Sequence, residues 1–283
     1  MKIGVTGATG QLGKLVVEQL VNKAGKENIV ALVRNPEKAK DLGVEIRPFD
    51  YEQAGSLAGQ LQGIDRLVMI SANEIGKRAR QHKNVLDAAK SAGVKWIVYT
   101  SLLHADSTTI SLAAEHLETE KMLKNSGIES TILRNGWYTE NYTSSIGGAI
   151  AGGAFIGSAG SGKISSAARA DYAEAAAAVV MDESYKGKVL ELAGDVAYTL
   201  SDMAAEISRQ SGKDIPYKDL PEDEYAKILE SFNLPKLIAA AIASWDVSVS
   251  KGDLYDDSKQ LSKIIGRPTT PMSETVKSAI RTI

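Results

Sequence analysis

No cysteine occurs among the 283 residues, which removes structural disulfides, thiolate metal sites and cysteine nucleophiles and leaves the redox compartment unconstrained. Histidine is scarce: His82, His104 and His116 are too few and too scattered for a metal centre, and none is expected. Neither sign of charge dominates. Lys plus Arg number 33 against 35 Asp plus Glu, a formal net charge of −2, so the basic excess needed to bind a phosphate backbone is missing and nucleic acid is not an expected partner. No apolar run approaches the roughly 20 residues that cross a bilayer. The nearest is the alanine-rich Ala173–Met181, and no membrane span is expected. Met1–Gly7 passes straight into a strand-like pattern without the basic stretch and apolar run of a secretory signal, so the cytoplasm is the expected compartment.

What is present is alternation. Strand-like runs at Lys2–Val5, Ile29–Val33, Val44–Pro48, Arg66–Ile70 and Trp96–Tyr99 are separated by helix-like patterns at Leu12–Lys23, Pro36–Leu42, Ser56–Leu61 and Ala79–Ala92. This βαβ order predicts an α/β fold with a Rossmann-type, doubly wound parallel sheet covered on both faces. The runs Leu67–Ile70 and Trp96–Tyr99 are continuously apolar, as central parallel strands buried on both sides should be. A helix over Leu112–Asn125 and a strand over Ser130–Arg134 follow. Gly147–Ala168, rich in Gly, Ala and Ser, reads as loop. Asp171 is expected to cap a helix running to Val180, and Val189–Leu192 to return to the sheet. Thr199 with Asp202 resembles a capping box ahead of Met203–Gln210. The remainder, punctuated by Pro216, Pro221, Pro235, Pro268 and Pro271, suggests a smaller companion domain. Ala239–Ala243 could bury within that domain or against a second copy in a homodimer.

The first chemical motif is Gly4–Gly13, with glycines at 7, 10 and 13 after one strand and opening a helix. Gly7 permits the tight turn, Gly10 lets the backbone approach a pyrophosphate, and Gly13 allows close helix–strand packing. With Thr9, Gln11 and Leu12 they place free amides and the positive end of the helix dipole against an anion. At the end of the second strand, an acidic residue would accept both ribose hydroxyls of NAD, whereas Arg34 stands here and suits the 2′-phosphate of NADPH. Lys38 adds a second cation. A solvated surface arginine is the alternative. Asp50 and Tyr51 follow the third strand, where they could meet adenine or simply end the strand; Ser71 ends the fourth beside the expected cofactor path.

A common use of such a site is carbonyl reduction by a Tyr-x-x-x-Lys pair, in which the tyrosine protonates an alkoxide and the lysine lowers its pKa. The corresponding helix reads Glu115-His116-Leu117-Glu118-Thr119-Glu120-Lys121, with no tyrosine. His116 and Glu120 lie one turn apart and could pair on the helix surface. A ketone needs an acid at its oxygen. A quinone does not, because hydride addition leaves an aromatic oxyanion of modest basicity that water can protonate.

The blocks Gly4–Gly13, Val33–Pro36, Tyr99–Ala105, Leu133–Asn141 and Ile265–Thr270 together resemble the NmrA-like branch of atypical short-chain dehydrogenases, and within it the bacterial NADPH-dependent quinone oxidoreductases. The resemblance implies NADPH in a Rossmann domain over residues 1–150, with late strands contributed from beyond 170. It also implies a smaller substrate domain over 151–283 and a small-molecule quinone in the cleft between them. Thr100, Ser101 and His104 should follow the fifth strand near the nicotinamide, and Asn135, Gly136, Trp137 and Tyr138 the sixth. Ser101, His104 and Tyr138 are candidates for catalysis, while Trp137, Tyr138 and Phe155 could contact the quinone. Burial as core aromatics competes for Trp137 and Tyr138, and local hydrogen bonding is favoured for His104. Two other activities stay open: a non-catalytic NADP(H)-binding redox sensor, which the missing pair suits equally well, and turnover of a sugar-like or lignan-like carbonyl dependent on Lys121.

Overall fold

The computed structural model describes residues 1–283. Its strands are β1 (Ile3–Thr6), β2 (Ile29–Val33), β3 (Glu45–Pro48), β4 (Arg66–Met69), β5 (Trp96–Leu102), β6 (Glu129–Asn135), β7 (Phe155–Gly157), β8 (Val189–Leu192) and β9 (Tyr217–Asp219). The helices are α1 (Gln11–Ala24), α2 (Ala54–Gln60), α3 (Arg78–Ala92), α4 (Ala113–Ser126), α5 (Thr139–Thr143), α6 (Ile146–Gly152), α7 (Arg169–Met181), α8 (Leu200–Ser211), α9 (Glu222–Ser231), α10 (Lys236–Ser250), α11 (Gln260–Ile265) and α12 (Met272–Ile280).

Seven strands form one sheet in the order β3-β2-β1-β4-β5-β6-β8, every pair parallel. The sequence climbs one way from β1 to β3 and then reverses through β4, which is the doubly wound arrangement and opens a crevice at the carboxyl ends where the order turns. One face is covered by α1 and α7, whose Val16, Val17 and Leu20 pack with Ala173, Ala176, Ala177 and Val180. The opposite face is covered by α2, α3 and α4 through Leu57, Val85, Ala89 and Leu123. Each such Val or Leu, fully buried, contributes about 1.5–3 kcal/mol. A separate core holds the companion layer together around Ile146, Phe155, Met203, Ile207 and Val276. A two-stranded parallel sheet of β7 and β9 lies in this layer.

Several elements differ from the sequence-based expectation. Strand β5 runs past Tyr99 to Leu102, paired with β6 through Ser101–Arg134 and Leu102–Asn135. Thr100, Ser101 and Asn135 are therefore strand residues and do not follow their strands. Gly147–Ala168 is not a loop throughout. Ile146 and Ala149 bury one side of α6, Gly153 ends that helix at φ 72°, and β7 follows. The serines beyond are fixed across the chain: Ser165 Oγ donates to the Asp256 carbonyl at 2.8 Å, and Ser166 Oγ lies 2.8 Å from Thr139 Oγ1. Tertiary burial and hydrogen bonding override a composition that is locally loop-like. The Thr199–Asp202 capping box is present at the start of α8. The alanines at 239 and 243 are fully buried within the chain.

Asp171 does not cap its helix. Ala168 holds the N-cap position, and Asp171 lies inside the first turn of α7 with no exposed surface. Its carboxylate accepts bonds from Arg267 Nη2 at 2.7 Å, the Thr270 amide at 2.7 Å and Thr270 Oγ1 at 2.9 Å. Three donors from the C-terminal segment satisfy it better than one helix amide would, so it ties that segment to the sheet layer. Replacing Asp171 by alanine leaves the Thr270 amide and hydroxyl without their acceptor while Arg267 keeps Glu174 at 2.6 Å, and urea unfolding should register a loss of about 1–3 kcal/mol; a loss below about 0.5 kcal/mol would mean the tie is structurally idle.

Candidate active site

The carboxyl ends of β1, β2, β4, β5 and β6 open into a cleft of about 770 Å³. At its floor the glycine turn has the geometry its spacing implies. Gly7 has φ +59°, and the Gly10 amide closes the turn on the Gly7 carbonyl at 2.8 Å. A Cβ on Gly13 would lie 2.2 Å from the Gly7 carbonyl oxygen, so the helix can sit this close to the strand only with glycine there. No side chain caps α1, and its first residues Gln11, Leu12 and Gly13 line the cleft with Gly7, Thr9 and Gly10. Unpartnered amides at the positive end of a fourteen-residue helix fit a pyrophosphate.

One end of the cleft is lined by Arg34, Lys38, Asp50 and Tyr51. The Arg34 side chain is 67% exposed and forms an ion pair with Glu74 at 3.3 Å. Asp50 Oδ1 accepts from the Glu52 amide at 3.1 Å, and Tyr51 Oη donates to the Ile70 carbonyl at 2.9 Å. These bonds explain both residues as a structured turn without removing them from the lining. Gln81, which sequence reasoning missed, adds a buried Oε1 with no partner on the same wall.

At the other end Thr100 Oγ1 accepts from the Ser71 amide at 3.0 Å, fixing the β4 exit against β5. Asn135 is 5% exposed, lines the cleft and has a buried Oδ1 without a partner. That orphaned acceptor fits an amide or hydroxyl donor of a dinucleotide. Ser101 also lines the cleft, and its hydroxyl donates to Glu120 Oε1 at 2.6 Å. Glu120 is in turn held by two bonds from Arg134, at 3.0 and 2.8 Å, and the Arg134 guanidinium also meets Glu191 and Asp106 at 2.9 and 2.7 Å. The hydrogen of Ser101 therefore points into the protein and its lone pairs face the cleft. Glu120 is occupied by these partners, so the expected surface pairing with His116 does not form; His116 is buried beside Tyr99 Oη at 2.8 Å.

Trp137 and Tyr138 line the same end, joined by Trp245 from α10, whose ring meets Trp137 edge-on at 5.7 Å. Tyr138 packs against Tyr172 at 5.2 Å and beneath the Arg169 guanidinium at 4.8 Å. Two candidates lie elsewhere. His104 does not line the cleft; its Nε2 is 3.2 Å from Asp256 and its amide donates to Glu191 at 2.9 Å. Phe155 is 3% exposed in the companion core, because strand β7 turns it inward. Arg78, Arg169 and Trp245 reach the cleft without a sequence signal, since each comes from an element whose placement depends on packing.

No acid in this cleft is tuned towards neutrality. Burial pushes the phenols of Tyr51 and Tyr138 above their ordinary range. Burial, aided by the Arg78 charge, holds His116 down at about 3, so the ring is neutral at physiological pH. His82 behaves likewise, also at about 3. Its Nε2 accepts from the Ala72 amide at 2.9 Å, so the proton sits on Nδ1, which bonds Thr119 Oγ1 at 2.8 Å. Leu117 and Lys121 occupy the spacing of a tyrosine–lysine pair, and neither lines the cleft.

A parallel doubly wound sheet with this glycine cradle defines a Rossmann-type dinucleotide-binding protein. The model of the NmrA-like family matches residues 1–272, and the chain belongs to that family. It is 54% identical to Quinone oxidoreductase 2 of Escherichia coli over 277 residues, 97% of each chain. The crystal structure of the Escherichia coli NADPH-dependent quinone oxidoreductase complexed with NADPH superposes with a TM-score of 0.96 at 53% identity, covering 98% of this chain and 99% of that one. The NADP(H) complex of Citrobacter triphenylmethane reductase superposes with a TM-score of 0.94 at 37% identity, covering 98% of this chain and 100% of the other.

The buried titratable groups set a pH signature. His82 and His116 fall to about 3 on folding, so the unfolded chain binds two more protons between there and the ordinary histidine range, and their stabilising contribution is lost as pH falls. Asp246, raised by burial to about 6, opposes them, because the folded state takes up its proton first. Below about pH 5 the surface carboxylates that folding also lowers, Glu45, Glu52, Glu74, Glu183 and Glu206 among them, steepen the fall in any variant, so the buried groups are read by difference. Between about pH 5.5 and 4.5 stability should fall with pH more steeply in Asp246→Asn than in the native protein, by about 1 kcal/mol per pH unit in urea titrations, because the opposing proton is gone. A flat profile in both proteins would contradict the buried-histidine account.

Proposed function

We propose that this chain is an NADPH-dependent quinone oxidoreductase. The observation that carries the reading is one cleft with a phosphate cradle at its floor, cations at one end and aromatic walls without a tuned acid at the other. The Escherichia coli relative carries the same activity in its name. Within the cleft, the amides of Gln11, Leu12 and Gly13 hold the pyrophosphate, while Arg34 and Lys38 hold the 2′-phosphate. Asp50, Tyr51 and Gln81 bound the adenine end, and Asn135 Oδ1 with the Ser71–Thr100 pair orients the nicotinamide end. When bound, NADPH supplies the hydride.

Trp137, Tyr138 and Trp245 form flat, largely apolar walls that position a planar ring and exclude water from it. Ser101 offers lone pairs and donates its hydrogen to Glu120, so it orients a donor group and does not protonate a substrate oxygen. Neutral His116 and the raised phenols are weaker acids than a tyrosine whose pKa a neighbouring lysine lowers. A quinone demands none of this, since its reduced oxygen is an aromatic oxyanion that solvent protonates. Residues 1–150, completed by α7 and β8, are assigned to the dinucleotide, and the companion layer within 151–283 to the quinone. The cytoplasm is the proposed compartment. No helix is long and apolar enough to cross a membrane.

Steady-state kinetics with a soluble benzoquinone and both cofactors test the reading. The native protein should favour NADPH, and Arg34→Asp should shift kcat/KM towards NADH by about tenfold or more, as expected for loss of a charged phosphate contact. Binding of NADPH without quinone-dependent oxidation would instead leave a dinucleotide sensor.

A further inference from the structure

The guanidinium assigned to the 2′-phosphate already has a partner. Arg34 Nη1 lies 3.3 Å from Glu74 Oε1, and the other Glu74 oxygen lies 3.0 Å from Lys77 Nζ. Arg34 follows β2, and Glu74 sits on the segment between β4 and α3. These two strands flank β1, so the ion pair bridges the end of the strand that carries the glycine turn. Arg34, Lys38 and Glu74 all line the same cleft.

Side chains 67% and 33% exposed make a weak, exchangeable pair. A phosphate dianion is a stronger partner for the same fork of donors, because it carries more charge and accepts two parallel bonds. We propose that Glu74 determines cofactor specificity: its carboxylate holds Arg34 until a 2′-phosphate displaces it, and so limits how strongly the site prefers the phosphorylated dinucleotide. The proposal rests on the assignment of Arg34 to that phosphate. Two anions then compete for one guanidinium, and the carboxylate subtracts from the affinity for the phosphorylated form alone. Against a dinucleotide with a free 2′-hydroxyl there is nothing to exchange and the pair stays closed. Lys77 gives the displaced carboxylate somewhere to go, since one of its oxygens is already there.

Calorimetric binding of 2′,5′-ADP and 5′-AMP to the native protein, Glu74→Gln and Arg34→Asp tests this without turnover. Glu74→Gln should bind 2′,5′-ADP roughly two- to fivefold tighter than the native protein does, the gain matching the strength of an exposed ion pair. Its affinity for 5′-AMP should stay within about twofold. No gain for 2′,5′-ADP, or an equal gain for both nucleotides, overturns the role of Glu74. If Arg34→Asp binds 2′,5′-ADP as tightly as the native protein, the phosphate assignment itself fails. If Arg34→Asp loses affinity while Glu74→Gln gains none, only the competition is wrong.

Discussion

The approach of α1 to β1 is the constraint on which the rest of the site depends. A methyl group at position 13 would overlap the Gly7 carbonyl oxygen at 2.2 Å and the Ala8 Cα at 2.8 Å. Because glycine is there, the helix starts directly above the strand end and its unpaired amides face the crevice created by the reversal of strand order. The neighbouring strands β2 and β4 then bring Arg34 and Glu74 to either side of that anion site, and β5 and β6 bring Thr100, Ser101 and Asn135 to its far end. Pushing the helix back would move the amides away from all of these groups together.

The two ends of the cleft solve different problems. At the phosphate end, exposed charges are matched to an anion and can exchange partners at low cost. At the ring end, polar groups are buried and, apart from the orphaned Asn135 Oδ1, already committed. Arg134 gathers Glu120, Glu191 and Asp106, and through Glu120 it fixes the direction of the Ser101 hydroxyl. Arg78 does the same for Glu115 and lies behind two neutral histidines. Such a network positions a ligand firmly, but it has no proton to spare near neutral pH. That combination favours an acceptor whose reduced form needs no acid at the moment of transfer.

Much of this was legible in the sequence because it is local. The glycine spacing, the strand before it and Arg34 at the next strand end are short-range patterns, and the apolar runs of β4 and β5 mark buried parallel strands directly. The capping box of α8 is equally local. What escaped depends on distant partners. Asp171 resembles a cap until Arg267 and Thr270 claim its carboxylate. Phe155 resembles a cleft aromatic until the companion core closes over it. Trp245 sits in an alanine-rich helix whose placement against Trp137 no periodicity reveals. His116 and Glu120 share a helix face but are drawn apart in their bonding by Tyr99 and Arg134.

Single-turnover oxidation of bound NADPH by a soluble quinone, followed in H2O and D2O from about pH 6 to about pH 9, tests the central claim that hydride transfer here proceeds without a tuned protein acid. The account predicts quinone-dependent loss of NADPH absorbance at a rate that is nearly flat with pH and nearly insensitive to D2O. A bell-shaped pH profile with a large solvent isotope effect would contradict it.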